Sequence, residues 1–254
     1  MFEPLCDMAA ALGDERDWPS LETMQALVSS RAIVTAGGAP LRLVAQSGGA
    51  YEARIRLAGE MHVRAREWHD LFNVLAWLTY PRTKAALNDA QYAAWREENG
   101  GADGVSAARR GRRRDALTLL DESGMLVLAT DPSLLDDLRS FRWKRLFRER
   151  RQQVLTSMRF LVFGHALFEK ALRPYVGLTA HALLLTVARD VLSAPLAATL
   201  ASADCLASRA IASIDTPRAL SPVPVLGVPG WWHDNEQAAF YDNADYFRSG
   251  RRKD

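Results

Sequence analysis

The most informative stretch for the architecture is Trp68-His69-Asp70-Leu71-Phe72-Asn73-Val74-Leu75-Ala76-Trp77-Leu78-Thr79-Tyr80-Pro81. Its large apolar residues recur at intervals of three and four, which predicts an amphipathic helix. A residue before proline is pushed out of the α region, so this helix should end at Tyr80. Proline is well tolerated in a first helical turn, so Pro81 should begin a second helix over 82–98.

Three polar side chains share one side of the first predicted helix. At about 100° per residue they fall within an arc of roughly 100°, so one substrate or ion could meet all three. The pattern predicts a general base or a set of metal ligands. The alternative is a capping aspartate with a histidine and an asparagine that bond to nearby backbone. The three side chains are His69, Asp70 and Asn73.

A second candidate pair, His165 and Glu169, lies much further along the chain. A helix over 165–172 would place these side chains about 40° apart, so both could contact one ion, or Glu169 could orient His165. Gly164, just before them, would permit close backbone approach. The alternative is an ordinary pair on a helix surface. If His69, Asp70 and Asn73 form one wall of a site, its opposite wall comes either from this pair or from the arginines.

Four further residues are candidates for substrate binding. Arg82 and Lys84 lie at the start of the second predicted helix, where free backbone amides favour an anion. Arg114 could hold the same anionic group. Asp115 follows three arginines and completes this set.

Basic residues concentrate in the segments 109–114 and 139–151. Trp143 and Phe147 interleave with the second segment, which would suit stacking on nucleic acid or another phosphate-bearing partner. These aromatic residues also have core-facing helical spacing. A solvated basic helix is therefore the alternative.

The remaining pattern predicts a mainly helical α+β fold. Strands over 115–120 and 125–130, joined by a turn at 121–124, form a predicted hairpin. One or two apolar helices are expected over 178–212. Prolines, glycines and aromatic residues after 215 predict an extended C-terminal segment that docks through its aromatic side chains. We expect one domain over 1–254, with 215–254 as the extended C-terminal wrap.

The composition excludes several classes of protein. With 48% hydrophobic and 24% charged residues and a formal net charge of +2, the 254-residue chain resembles ordinary soluble globular proteins. The uncharged stretch Pro174–Ala188 is shorter than the roughly 20 residues of a membrane-spanning helix. Cys6 and Cys205 form no CxxC pair, and no secretory leader is evident, so a cytoplasmic location is expected. Phosphate-loop, dinucleotide-binding, nucleophile-elbow and zincin motifs are absent.

A combination of motifs resembles a bacterial family known as domain of unknown function 3025. The resemblance spans about Tyr51 to Phe247 and implies one family-wide pattern, without implying an activity. Its motifs are Trp68-His69-Asp70-Leu71-Phe72-Asn73, Tyr80-Pro81-Arg82-Thr83-Lys84, Arg114-Asp115-Ala116-Leu117-Thr118, Asp121-Glu122-Ser123-Gly124, Phe163-Gly164-His165-Ala166-Leu167-Phe168-Glu169-Lys170 and Gly227-Val228-Pro229-Gly230-Trp231.

The sequence leaves three functions open. The first is a hydrolase, with a divalent metal as candidate cofactor, that uses His69 or Glu169 as base or ligand on a phosphorylated or nucleic-acid-like substrate. The second is a non-catalytic protein that binds nucleic acid or an acidic partner through residues 109–151. The third is an interaction scaffold whose core the polar residues order. The oligomeric state is open.

Overall fold

A computed structural model describes residues 1–13, 18–46, 50–100 and 104–250, and over 104–110 it describes the backbone alone. Over these residues the chain is mainly helical and encloses a four-stranded sheet. The predicted α+β class is confirmed. The extent of the domain, 1–254, stays a prediction. None of the helices in the described part combines the length and apolar composition needed to span a lipid bilayer.

The strands form two sheets. They are β1 (Arg42–Val44), β2 (Glu60–His62), β3 (Gly124–Ala129), β4 (Met158–Val162), β5 (Thr179–Thr186) and β6 (Ser221–Pro224). The larger sheet has the order β4-β3-β5-β6, in which β3 is parallel to β5 and the other two pairs are antiparallel. β3 is buried along its whole length, as expected for a central strand covered on both faces. β1 and β2 pair separately in parallel.

The α-helices surround the sheet. They are α1 (Cys6–Ala11), α2 (Leu21–Ser30), α3 (Tyr51–Ala58), α4 (Trp68–Thr79), α5 (Pro81–Gly100), α6 (Gly104–Ser123), α7 (Pro132–Arg139), α8 (Arg151–Ser157), α9 (His165–Ala171), α10 (Arg189–Ser193) and α11 (Leu196–Ala210). A π-helical turn at Arg145–Glu149 precedes α8. The predicted α4–α5 pair is confirmed, because Tyr80 leaves the helical region at φ −127° and ψ 56° and Pro81 begins α5.

Two hydrophobic cores lie on opposite faces of the sheet. Met125 and Val127 of β3 belong to the core that includes the apolar residues of α4 and α9. Leu126 and Leu128 belong to the core shared with α5, α6 and α11. This division follows from the alternation of side chains along a strand. α6 leads directly into β3, and Gly164 joins the end of β4 to α9, so helices from both faces meet at one end of the sheet.

The predicted hairpin is wrong in its first strand. Residues 115–120 belong to α6, while the second predicted strand corresponds to β3. The segment 121–123 is the last turn of the helix rather than a hairpin tip. Ala116, Leu117 and Leu120 are fully buried. Their spacing places them on one face of a helix, and burial of that face stabilises α6.

The prediction of helices throughout 178–212 is wrong at its beginning. Residues 179–186 form β5, whereas α10 and α11 follow on either side of Pro195, as expected. Leucines at 183–185 favour helix in isolation. Their position between β3 and β6 overrides that preference, because strand formation depends strongly on tertiary context.

The C-terminal segment docks onto the core as predicted. It contains β6 and several short 3₁₀ turns, so it is not extended throughout. Tyr241, Tyr246 and Phe247 are buried. The Tyr246 hydroxyl accepts from the backbone amide of Leu226 at 2.9 Å and donates to the carbonyl of Leu178 at 2.8 Å. These bonds fix the segment beside β5.

Candidate functional site: a two-histidine cleft

Two histidines from different helices meet at the end of the sheet. His69 lies in the first turn of α4 and His165 is the first residue of α9. Their Nε2 atoms are 3.0 Å apart and their rings are nearly perpendicular, at 79°. The side chain of His165 is 4% exposed, whereas that of His69 is 31% exposed. The structure thus brings together the two walls that the sequence left separate.

Carboxylates lie on the far side of each histidine ring. Glu169 Oε2 accepts from His69 Nδ1 at 3.1 Å, so Glu169 orients the histidine of the other helix rather than its own. Asp121 Oδ1 lies 3.9 Å from His165 Nδ1. A proton on each Nδ1 leaves each Nε2 with a free lone pair. Both lone pairs can then serve one ligand.

Glu122 completes a triad with the two histidines. Its Oε1 lies 3.9 Å from His165 Nε2. One ligand atom each from His69, Glu122 and His165 lies within 4.8 Å of the others, and in the described part of the chain no other such group of histidine, cysteine or acidic residues is found. Burial raises the pKa of Glu122 above its usual value, against the opposing effect of His69.

Two glycines allow the backbones around the histidines to approach closely. A Cβ on Gly164 would lie 2.3 Å from the backbone nitrogen of Gly124 and 2.5 Å from the carbonyl oxygen of Glu122. A Cβ on Gly124 would lie 2.0 Å from the carbonyl oxygen of Leu120. The start of α9 therefore packs directly on the junction between α6 and β3. This packing places His165 beside Asp121 and Glu122.

A buried ion pair supports the site from behind. Lys84, whose side chain is 4% exposed, binds Asp121 Oδ1, the oxygen that faces His165. Burial raises the pKa of Asp121, but Lys84 and the two histidines lower it by more, so the pKa lies below its usual value. Burial lowers the pKa of His165 to about 4. His165 is therefore neutral near pH 7, as a metal ligand must be.

Asp70 and Asn73 line the cleft into which His69 and His165 open, but neither side chain bonds to the histidines. Asp70 accepts from the backbone amide of Arg64 at 2.7 Å and from its guanidinium at 2.9 Å. Asn73 donates to the Tyr51 hydroxyl at 3.1 Å. The predicted polar trio therefore shares a wall, while its members have separate partners.

The cleft has a volume of about 380 Å³. Sequence analysis missed three of its acidic side chains: Glu52, Asp121 and Glu122. Burial, followed by the charge of Asp121, raises the pKa of Glu52 to about 7. The sequence signal that could have identified Asp121 and Glu122 is the helical spacing of 116–120, which places them in the last turn of a helix. A larger cleft of about 430 Å³ beside β5 and β6 is lined mainly by apolar residues, so the polar cleft is the candidate site.

The predicted substrate-binding residues are not brought together. Lys84 forms an ion pair with Asp121. The backbone amides of Arg82 and Thr83 donate to Asp204, so a carboxylate of the chain itself occupies the start of α5. Arg114 pairs with Glu98 at 2.9 Å outside the cleft wall. Asp115 is exposed on α6 and is likewise outside that wall.

The basic segment 139–151 is bound to acidic residues of the protein. Asp137, which is 1% exposed, pairs with Arg142, Arg145 and Arg150. The other described pairs of this segment are Arg139–Asp136, Lys144–Asp242, Arg150–Asp131 and Arg151–Glu236. Trp143 and Phe147 face the core, as in the alternative prediction. Of the first basic segment, the side chains of Arg109 and Arg110 lie outside the described residues.

A family model described as "Protein of unknown function (DUF3025)" matches residues 41–251. The chain belongs to this family. The matched region of this DUF3025 member includes every residue of the two-histidine cleft described above, from Tyr51 to Glu169. No curated protein and no solved structure matches the chain.

Proposed function

We propose that this protein is a metal-dependent hydrolase whose divalent ion is held by His69, Glu122 and His165. The observation that carries the proposal is the 3.0 Å separation of the two Nε2 atoms, with a carboxylate on the Nδ1 side of each ring. Two atoms that each lie about 2.1 Å from one ion are about 3.0–3.4 Å apart at coordination angles of about 90–109°. The observed separation agrees with this range.

The surroundings of the histidines also support an ion. Carboxylates that hydrogen-bond the second nitrogen of a ligating histidine fix its tautomer and increase its basicity. Glu169 does so for His69, and Asp121 is placed to do so for His165 after a small approach. His165 Nδ1 is buried and has no hydrogen-bond partner among the described residues. The proton of this nitrogen is therefore available to Asp121 when Nε2 binds an ion.

The proposed chemistry is hydrolysis of a phosphate ester. A divalent ion would polarise the phosphoryl group and lower the pKa of an attacking water. Among the described residues that line the cleft, Arg64 is the one arginine or lysine that could bind a phosphate. Its side chain is 54% exposed and already pairs with Asp70. The ion would therefore supply most of the positive charge that a phosphorylated or nucleic-acid-like substrate requires.

The experiment is an assay of the full chain with p-nitrophenyl phosphate, bis-p-nitrophenyl phosphate and p-nitrophenyl acetate, after metal removal and after return of Zn²⁺, Mn²⁺ or Mg²⁺. We expect hydrolysis of a phosphate ester that depends on the returned ion and is lost in His69→Ala and His165→Ala. His233→Ala is the matched control, because His233 is 76% exposed and pairs only with its neighbour Asp234 among the described polar groups. Hydrolysis that survives in both site variants would contradict the proposal.

Nucleic-acid binding through residues 109–151 has less support as an alternative. The cations of 139–151 that the structure describes are largely paired within the molecule. Binding carried by those cations would weaken steeply as salt is raised. An affinity for duplex DNA with that salt dependence, retained after His165→Ala, would favour the alternative.

A further inference from the structure

Among the described acidic side chains of the two-histidine cleft, one neither holds the proposed ion nor pairs with a cation or a histidine. Asp70 is bound by Arg64, Asp121 by Lys84 and Glu169 by His69. Glu122 is a proposed ligand. Glu52 lines the same cleft, and the described residues give it no ion-pair partner.

We infer that Glu52 is the acid–base residue that transfers the proton in the reaction of this cleft. The inference rests on the proposed function, and it adds a catalytic residue that the ligand set does not supply. Both histidines are committed through Nε2 to each other or to an ion, so neither is free to take a proton. A general base must lie in the reaction cleft, and Glu52 does so.

The position of Glu52 is fixed by a neighbouring helix. Asn88 of α5 donates through Nδ2 to the backbone carbonyl of Glu52 at 3.1 Å and to its Oε2 at 2.7 Å. Asn88 is 3% exposed. One carboxyl oxygen is therefore anchored from the protein interior, which leaves the other for the cleft. Such double anchoring by a buried amide is the way a reacting carboxyl is held in one orientation.

The charges around Glu52 suit a group that exchanges protons near neutral pH. Burial and Asp121 of α6 favour its protonated form, whereas Asn88 and Lys84 of α5 and Arg114 of α6 favour the carboxylate. The start of α3, on which Glu52 lies, also favours the carboxylate. The balance leaves the pKa of Glu52 at about 7, where both protonation states are populated and proton transfer is most efficient.

The proposed step balances without a further reactant. The Glu52 carboxylate accepts a proton as the oxygen of a water bonds to the substrate phosphorus. The bond from phosphorus to the leaving oxygen breaks, and Glu52 returns its proton to that oxygen. Glu52 is then a carboxylate again, and one water has been consumed.

The test compares Glu52→Gln with the exposed control Glu149→Gln in the full, metal-loaded chain. Glutamine keeps the acceptor for Asn88 but cannot carry the proton. We expect Glu52→Gln to bind Mn²⁺ within about threefold of the wild type, because it removes no ligand, and to lose about 100-fold or more in kcat on p-nitrophenyl phosphate esters. The rise of the wild-type rate with pH near 7 should disappear as well. Glu149→Gln should match the wild type.

A second readout does not depend on turnover. Carbon-13 NMR of glutamate-labelled protein should show one carboxyl that titrates near pH 7 and is missing from Glu52→Gln. The inference would be overturned if the wild type showed no carboxyl that titrates near pH 7, or if Glu52→Gln kept the kcat and pH profile of the wild type. Either result would leave the metal site standing. Wild-type protein that binds no ion and hydrolyses none of the esters would instead remove the proposed function, and the inference with it.

Discussion

His69 Nε2 lies 3.0 Å from His165 Nε2, although the two residues are 96 positions apart in the chain. The contact exists because α4 and α9 pack on the same face of the sheet, with Phe72 stacked on Phe168 one turn further along. The aromatic contact therefore holds the histidines in register. An isolated helix could not create this arrangement.

The buried Lys84–Asp121 pair should be needed for stability. Lys84→Met would leave Asp121 buried without a cation, which should lower the free energy of unfolding by about 3 kcal/mol. The double variant Lys84→Met/Asp121→Asn should regain much of that loss, because it buries no charge. Urea denaturation of the metal-free proteins measures the unfolding free energies of the single and the double variant. A double variant less stable than the single one would contradict this account.

Gly164 should tolerate no side chain. In Gly164→Ala the Cβ would overlap the backbone of Gly124 and Glu122, so α9 must move away from the α6–β3 junction. We expect a loss of about 2 kcal/mol in unfolding free energy and weaker metal binding, because His165 moves from Glu122. Gly111→Ala is the matched control, since Gly111 lies in α6 with nothing within 4 Å of its would-be Cβ. Equal stability of the two variants would count against the close packing.

The sequence predicts the helices that carry the histidines, but it predicts only part of the cleft lining. Proline at position 81 and the apolar spacing of 68–80 identify α4 and α5 locally. The prediction of a strand over 115–120 is wrong because its apolar residues fit a helix face as well as a strand, and a polar run ending in Gly124 resembles a turn. Glu52, Asp121 and Glu122 were missed because nothing local shows that α3, α6 and α9 converge. Long-range packing supplies that information.

Acid should destabilise the metal-free protein partly through His165. Its folded-state pKa of about 4 lies below the ordinary value of 6.5, so the unfolded chain binds the proton more readily. Neutral His165 therefore makes its full contribution to the free energy of unfolding above about pH 6.5. As the pH falls toward 4, this free energy decreases by about 3 kcal/mol in total. The difference in unfolding free energy between wild type and His165→Gln should therefore shrink over that window. A pH-independent difference would contradict the assignment.

Glu169 should strengthen the metal site without holding the ion directly. Glu169→Ala removes the acceptor for His69 Nδ1, which should weaken metal binding by about 10-fold or more. The fold should persist, because the Glu169 side chain is 43% exposed. Glu149→Ala, at an exposed position outside the cleft wall, is the control. Competition titration with a chromogenic chelator measures the metal affinities of Glu169→Ala and of the control variant. Equal affinities would exclude the role of Glu169 in orienting His69.

The most direct test of the central claim is the number of divalent ions bound per chain, measured by elemental analysis after equilibration with Zn²⁺ or Mn²⁺ and removal of free ion. We predict one ion per chain in the wild type and in His233→Ala, and none in His69→Ala or His165→Ala. Circular dichroism should show that all four proteins are folded. A folded wild type without bound ion, or full occupancy in both cleft variants, would contradict the claim that the two histidines form a metal site.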